Sequence, residues 1–155
     1  FGRGGEEIEA LSEHGIAFQV IPGVTAAVGC ASYACLPLTH RDHAQGCMFV
    51  TGHEKDGKLN LNWKSLIQPR QTVVVYMGLS SIAAITGGFI ANGADPATPA
   101  AIIENGTRAG QRVITGTLES LSEQTKEAGI KSPALIIVGS VVTLRDKLSW
   151  FANKP

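Results

Sequence analysis

Thr72-Val73-Val74-Val75-Tyr76-Met77 is the stretch whose reading decides the fold. Its valines are β-branched and follow one another without a polar break. An amphipathic strand alternates, whereas this run must be covered on both faces, as in a sheet sandwiched between helices. Helical signals flank it. Ser80 or Ser81 stands where a cap is needed for a helix to about Ala91, and Asn92-Gly93 closes that helix. Further on, strands are predicted over 100–104 and 111–115, separated by the turn Asn105-Gly106-Thr107. Thr117 or Ser120 caps the next helix, with Ser120 and Glu123 spaced as a capping box and Gly129 as its stop. Pro133 leads into a strand over 134–138, and 143–151 reads as a last helix or turn.

Upstream, a helix is predicted over 5–14, with Ile8 and Leu11 on one face and Gly15 ending it. A strand over 16–21 follows, closed by Pro22-Gly23. Thr25 is placed to cap a helix to about Cys35, whose Ala26, Ala27, Gly29, Ala31 and Ala34 permit close packing, and Pro37 stops it. A new unit begins after Asp42: a short strand over 47–51, a polar lysine-bearing loop over 52–62, and a short helix over 63–67. Strands alternating with helices predict an α/β architecture with a mostly parallel mixed sheet.

Composition narrows the function. The chain has 155 residues, 44% of them hydrophobic, enough to bury a real core. Its 13 basic and 13 acidic residues balance, which disfavours a nucleic-acid partner. No stretch reaches the roughly 18 apolar residues of a membrane span. The 3 cysteines are an odd number without a framework, as suits a reducing, cytoplasmic setting. His40, His43, Cys30, Cys35 and Cys47 invite a zinc reading, yet Cys30 and Cys35 lie about 140° apart around a helix, so no metal site is expected. Glu6 and Glu7 are favourable charges at a helix start.

Eight ordered stretches resemble the uroporphyrinogen-III C-methyltransferases, including the methyltransferase part of siroheme synthase. They are Phe1-Gly-Arg-Gly-Gly-Glu-Glu7, Pro22-Gly-Val-Thr-Ala-Ala27, Pro37-Leu-Thr-His-Arg-Asp42 and Tyr76-Met-Gly-Leu79, then Glu104-Asn-Gly-Thr107, Gln111-Arg-Val-Ile-Thr-Gly116, Pro133-Ala-Leu-Ile-Ile-Val-Gly139 and Leu144-Arg-Asp-Lys-Leu-Ser-Trp-Phe151. The similarity covers essentially the whole chain. It implies a tetrapyrrole-methylase-like α/β fold of two domains that binds S-adenosylmethionine in the cleft between them, normally as a homodimer. Residues 1–42 would then be the tail end of the N-terminal domain with its linker, and 43–155 the C-terminal domain. The family's first cofactor loop and acid/base groups lie upstream of the segment matching Phe1, so a fragment inactive by itself is expected, with catalytic residues unknown.

By the same resemblance, Thr25, Ala26, Met77 and Gly106 match cofactor contacts, with S-adenosylhomocysteine as the product left behind. Read without it, Thr25 is an ordinary helix cap, Met77 a core filler at a strand end, and Gly106 part of a plain turn. The implied acceptor is a tetrapyrrole with eight carboxylates, which gives guanidinium groups a use. Arg3, set among glycines, and Arg41 are the candidates. The implied reaction methylates uroporphyrinogen III twice, through precorrin-1 to precorrin-2, in siroheme and cobalamin-precursor synthesis. Another tetrapyrrole or ribosomal RNA methyltransferase of this fold, or a non-catalytic cofactor-binding or dimerisation module, is the alternative.

Overall fold

The computed structural model describes residues 4–53 and 59–151. Arg3 therefore lies outside the described residues. The valine run forms β2 (Gln71–Tyr76), which lies in a five-stranded sheet with β1 (Gly46–Thr51), β3 (Pro99–Glu104), β4 (Arg112–Thr117) and β5 (Ala134–Val138). Val74 and Val75 are wholly removed from solvent, a burial that stabilises by about 1.5–3 kcal/mol per side chain. Inward and outward positions alternate with the two-residue period of a strand. Val74, Tyr76, Ala101, Ile103 and Ile137 share one apolar cluster with α2 (Ala26–Tyr33) and a short 3-10 helix (Ser140–Leu144). Val73, Val75, Ala100, Ile102 and Ile136 share the other with α3 (Trp63–Leu66), α4 (Ile82–Ala91) and α5 (Leu121–Glu127).

The α/β class with a mixed sheet holds, but the sheet is not mostly parallel. Its order is β1-β2-β5-β3-β4. Only the β1–β2 pair is parallel, while β2–β5, β3–β5 and β3–β4 are antiparallel. Interleaving is the reason. The helical crossovers β2–α4–β3 and β4–α5–β5 each return the chain in its original direction, as such connections do. β5 then inserts between β2 and β3, and the short 105–111 connection reverses the chain into β4. Strands of like direction therefore become second neighbours.

Other expectations change for local reasons. α1 (Gly5–Glu13) forms and Gly15 turns the chain at φ 64°, but 16–21 is not a strand. A strand exists through its ladder, and no described strand pairs with this segment, so Ile16, Phe18, Val20 and Ile21 stay exposed. The Ser120–Glu123 capping box does not form. The Ser120 hydroxyl is taken by the preceding turn, where it accepts from the Thr117 N–H at 3.0 Å. After the 3-10 helix, α6 (Arg145–Leu148) leads to Trp150, whose indole N–H donates to the Ser32 carbonyl at 3.2 Å and straps the segment to α2. Among the described residues, no helix is long and apolar enough to cross a membrane.

Candidate functional site

The carboxyl ends of β2 and β3, and the start of β5 between them, meet at one edge of the sheet, the place where α/β sheets most often bind ligands. The N-terminus of α2 arrives at the same edge. Between these elements lies a cavity of about 500 Å³, a size proper to small-molecule sites at roughly 300–1,000 Å³. Ala26 at the start of α2, Met77 after β2 and Gly106 after β3 all line it. The fold thus brings three of the four cofactor candidates together from three separate segments.

Thr25 stands one hydrogen bond behind them. Its Oγ1 lies 2.5 Å from the phenol oxygen of Tyr76, a residue of the cavity wall. The same phenol oxygen accepts the backbone N–H of Ala27 at 2.8 Å. Thr25 is the residue at the helix cap, but it makes no side-chain bond to the helix. The hydroxyl that satisfies a donor of the first turn comes from β2 instead. This corrects the simple cap reading and ties α2 to the end of the strand that carries Met77.

The rim of the cavity is held in an uncommon backbone geometry. Met77, Asn105 and Thr107 have φ of 52°, 49° and 69°. Left-handed backbone at non-glycine residues costs on the order of 1–3 kcal/mol each, and a β-branched threonine is the least tolerant of it. Such conformations persist only where their surroundings enforce them. Gly106, between two of these residues, is needed for a different reason from a turn. A Cβ there would lie 2.2 Å from Cys30 Sγ and 3.0 Å from Cys30 Cβ. Glycine lets the loop lie directly against α2, while its neighbours make the turn.

Arg108 brings a cation to the cavity lining, and beside the cavity one buried charge, at the end of β3, is neutralised. Glu104, the last residue of β3, is 4% exposed. The Nε–H of Arg112 donates to one carboxylate oxygen and the backbone N–H of Lys131 to the other, at 2.6 Å for the latter. Hydrogen bonding from Arg112, and then from Lys131, outweighs the desolvation of the carboxyl and holds its pKa below the usual value. Arg112 also donates to the Ala128 carbonyl at 2.9 Å and to the Gly129 carbonyl at 3.2 Å, fastening the end of α5. On the cavity wall, burial raises the pKa of the Cys30 thiol, which favours its neutral, weakly reactive form.

Arg41 is not brought to this cavity. Its carbonyl accepts from the Arg70 guanidinium, just before β2, while Met77 follows the other end of that strand. At about 3.3 Å per residue the two ends lie roughly 17 Å apart. The rings of His40 and His43 meet edge to face at 5.1 Å, and among the described residues no three His, Cys, Asp or Glu side chains gather as a metal site. Tyr76 and Thr107 are cavity residues to which the sequence reading gave no site role, and Cys30, weighed there only as a metal ligand, is a third. Tyr76 carried a usable signal: a hydroxyl at the end of a fully buried run must find a partner.

A mixed α/β sheet with a small-molecule cavity at its strand ends is the architecture, and the chain belongs to the Tetrapyrrole (Corrin/Porphyrin) Methylases, whose family pattern its residues 1–122 match. More particularly, it is 57% identical over 155 residues to the siroheme synthase of Methylobacillus flagellatus, covering 100% of this chain and 33% of that protein. It is 59% identical over 151 residues to the siroheme synthase of Ectopseudomonas mendocina, covering 97% and 33%. The chain spans about a third of the length of these relatives. The uroporphyrin-III C-methyltransferase of Thermus thermophilus, solved in complex with S-adenosyl homocysteine, superposes with a TM-score of 0.78 at 35% identity, over 93% of this chain and 62% of that one. A cobalt precorrin-4 methyltransferase superposes at 0.76 with 21% identity, over 88% and 58%, a likeness of fold alone.

Proposed function

We propose that the chain is the cofactor-binding portion of an S-adenosylmethionine-dependent C-methyltransferase that converts uroporphyrinogen III to precorrin-2, and that the cavity beside α2 takes the adenosyl part of the cofactor. One observation carries the reading: Ala26, Met77 and Gly106, candidates by resemblance to the family's cofactor contacts, open into one cavity. The donor set suits a nucleoside. Tyr76, Asn105, Arg108 and Ser132 supply polar lining, and Met77 and Pro133 supply apolar walls.

When bound, the cofactor supplies a sulfonium that already makes its methyl group electrophilic, so no general base is needed to activate the donor. What falls to these residues is holding and orientation. Aligning donor with acceptor and keeping water out of the contact accounts for much of the rate such an enzyme achieves. On this reading residues 1–42 close an N-terminal methylase unit with its linker, while α2 docks on the sheet of the C-terminal unit. The acceptor is a tetrapyrrole whose carboxylates Arg3 and Arg41 serve, and the working form is a cytoplasmic homodimer. Free Cys30, Cys35 and Cys47 agree with a reducing compartment.

The test is calorimetric titration of S-adenosylhomocysteine into the full-length protein and its Met77→Ala variant, with thermal melting alongside. The variant is expected to lose cofactor affinity more than stability. Unchanged affinity with a large drop in melting temperature returns Met77 to the role of core filler. Transfer of labelled methyl to uroporphyrinogen III tests the acceptor.

A further inference from the structure

We propose that Gln111 is a positioning residue, one that touches no ligand but holds the cavity loop carrying Gly106 against α2. The inference rests on the reading of that cavity as the cofactor site. Gln111 is 5% exposed and does not line the cavity. Its side chain spans two adjoining elements that both line the cavity, the loop after β3 and α2. Oε1 accepts the backbone N–H of Thr107 at 2.8 Å, and Nε2 donates to the Tyr33 carbonyl at the end of α2, at 3.1 Å.

The loop's backbone bonds, including Asn105 N–H to the Pro133 carbonyl at 3.0 Å, tie it to itself and to the entry of β5 but not to α2. Asn105 and Thr107 are left-handed, and the backbone bonds within the loop, Arg108 N–H to Asn105 carbonyl and Gln111 N–H to Arg108 carbonyl, leave the Thr107 amide to the side chain of Gln111. Packing fixes only the closest approach of loop to helix, through the Gly106 contact with Cys30. Nothing in that contact prevents the loop from drifting outward. A polar link to the end of α2 does, because one primary amide satisfies a donor on the loop and an acceptor on the helix together, and both are costly to leave unpaired inside the protein. The loop carrying Gly106 and the helix carrying Ala26 thereby keep one separation.

The experiment measures S-adenosylhomocysteine affinity and melting temperature for the full-length protein and three variants. Gln111→Met keeps the volume and removes both bonds. Leu118→Ala, on the opposite face of the sheet, is the stability control. Gln111→Glu keeps the acceptor and loses the donor until it is protonated. At least tenfold weaker binding is expected for Gln111→Met, against less than twofold for Leu118→Ala at an equal or larger loss in melting temperature. For Gln111→Glu, affinity should recover as pH falls from about 8 to about 5, since a buried carboxyl protonates early and regains its bond to Tyr33, while the unsubstituted protein stays flat. Gln111→Met binding within twofold of the unsubstituted protein, or in step with Leu118→Ala, overturns the proposal, as does a flat Gln111→Glu profile. An unsubstituted protein that does not bind refutes the cofactor reading itself, and this inference with it.

Discussion

Adding one carbon at Gly106 should separate the cavity loop from α2, and the size of the effect follows from the contact. The new Cβ of Gly106→Ala would sit 2.2 Å from Cys30 Sγ, 3.0 Å from Cys30 Cβ and 3.4 Å from Cys30 Cα. Non-bonded carbons settle at about 3.5–4.0 Å, so the sulfur contact is short by well over 1 Å and the Cβ contact by at least ~0.5 Å. Rotating the thiol relieves the first shortfall only. The second requires the loop to retreat, against the Gln111 link to Tyr33. Overpacking of this kind costs about 1–3 kcal/mol. At the midpoint of that range, ~2 kcal/mol, a domain of this size melts roughly 4–8 °C lower. Urea unfolding with a double-mutant cycle is the assay. Cys30→Gly removes both the sulfur and the Cβ, so Cys30→Gly/Gly106→Ala should recover part of the loss, with a favourable coupling of about 0.5–3 kcal/mol. Strict additivity, or a Gly106→Ala protein within ~0.5 kcal/mol of the parent, would mean that the loop does not rest on Cys30.

Four further outcomes follow from other parts of the structure. Tyr76→Phe leaves the buried Ala27 amide without the phenol oxygen it bonds at 2.8 Å, which should cost about 1–3 kcal/mol; unchanged exchange protection at Ala27 would contradict it. Glu104 has a lowered pKa in the folded protein, chiefly through Arg112, so its contribution is present above the ordinary glutamate value and is lost as pH falls through the lowered one. Glu104→Gln should therefore destabilise at neutral pH and flatten the acid limb of the melting profile, and a limb of unchanged slope counts against this. Cys47 is held at a pKa of about 11 by burial, so it should react with iodoacetamide at pH 8 far more slowly in the native than in the urea-unfolded protein; equal rates would show an open thiol. Ile16, Phe18, Val20, Ile21 and Val24 are all exposed, so the isolated chain is expected to self-associate, and a clean monomer in sedimentation equilibrium at tens of micromolar removes that expectation.

What the sequence makes legible divides along a physical line. Val73 to Val75 reveal double-sided burial because hydropathy is a property of each residue, and the helical crossovers reveal strand direction because a helix of that length must return the chain. Neighbourhood in the sheet is different. That β5 inserts between β2 and β3 depends on how Val73–Val75 and Ile136–Val138 match each other across the ladder, and no local pattern states it. The failed strand at 16–21 has the same cause, since its alternation of Ile16, Phe18 and Val20 is genuine and what it lacks is a pairing partner among the described strands.

The candidate site shows the line more sharply. Met77 and Gly106 are visible in the sequence by resemblance, but the reason Gly106 is glycine lies in Cys30, distant in sequence and on another element. The cap of α2 follows the same rule. Thr25 holds the position that a capping side chain occupies, and reading outward from the helix assigns it that task. The donor of the first turn is nevertheless satisfied by Tyr76, from the end of the strand that opens the fold. A helix capped from within its own sequence could shift on the sheet without losing that bond. Capped by β2, α2 cannot move away from Met77 without unpairing a buried amide, so the hydrogen bond that completes the helix also fixes two walls of the cavity to each other.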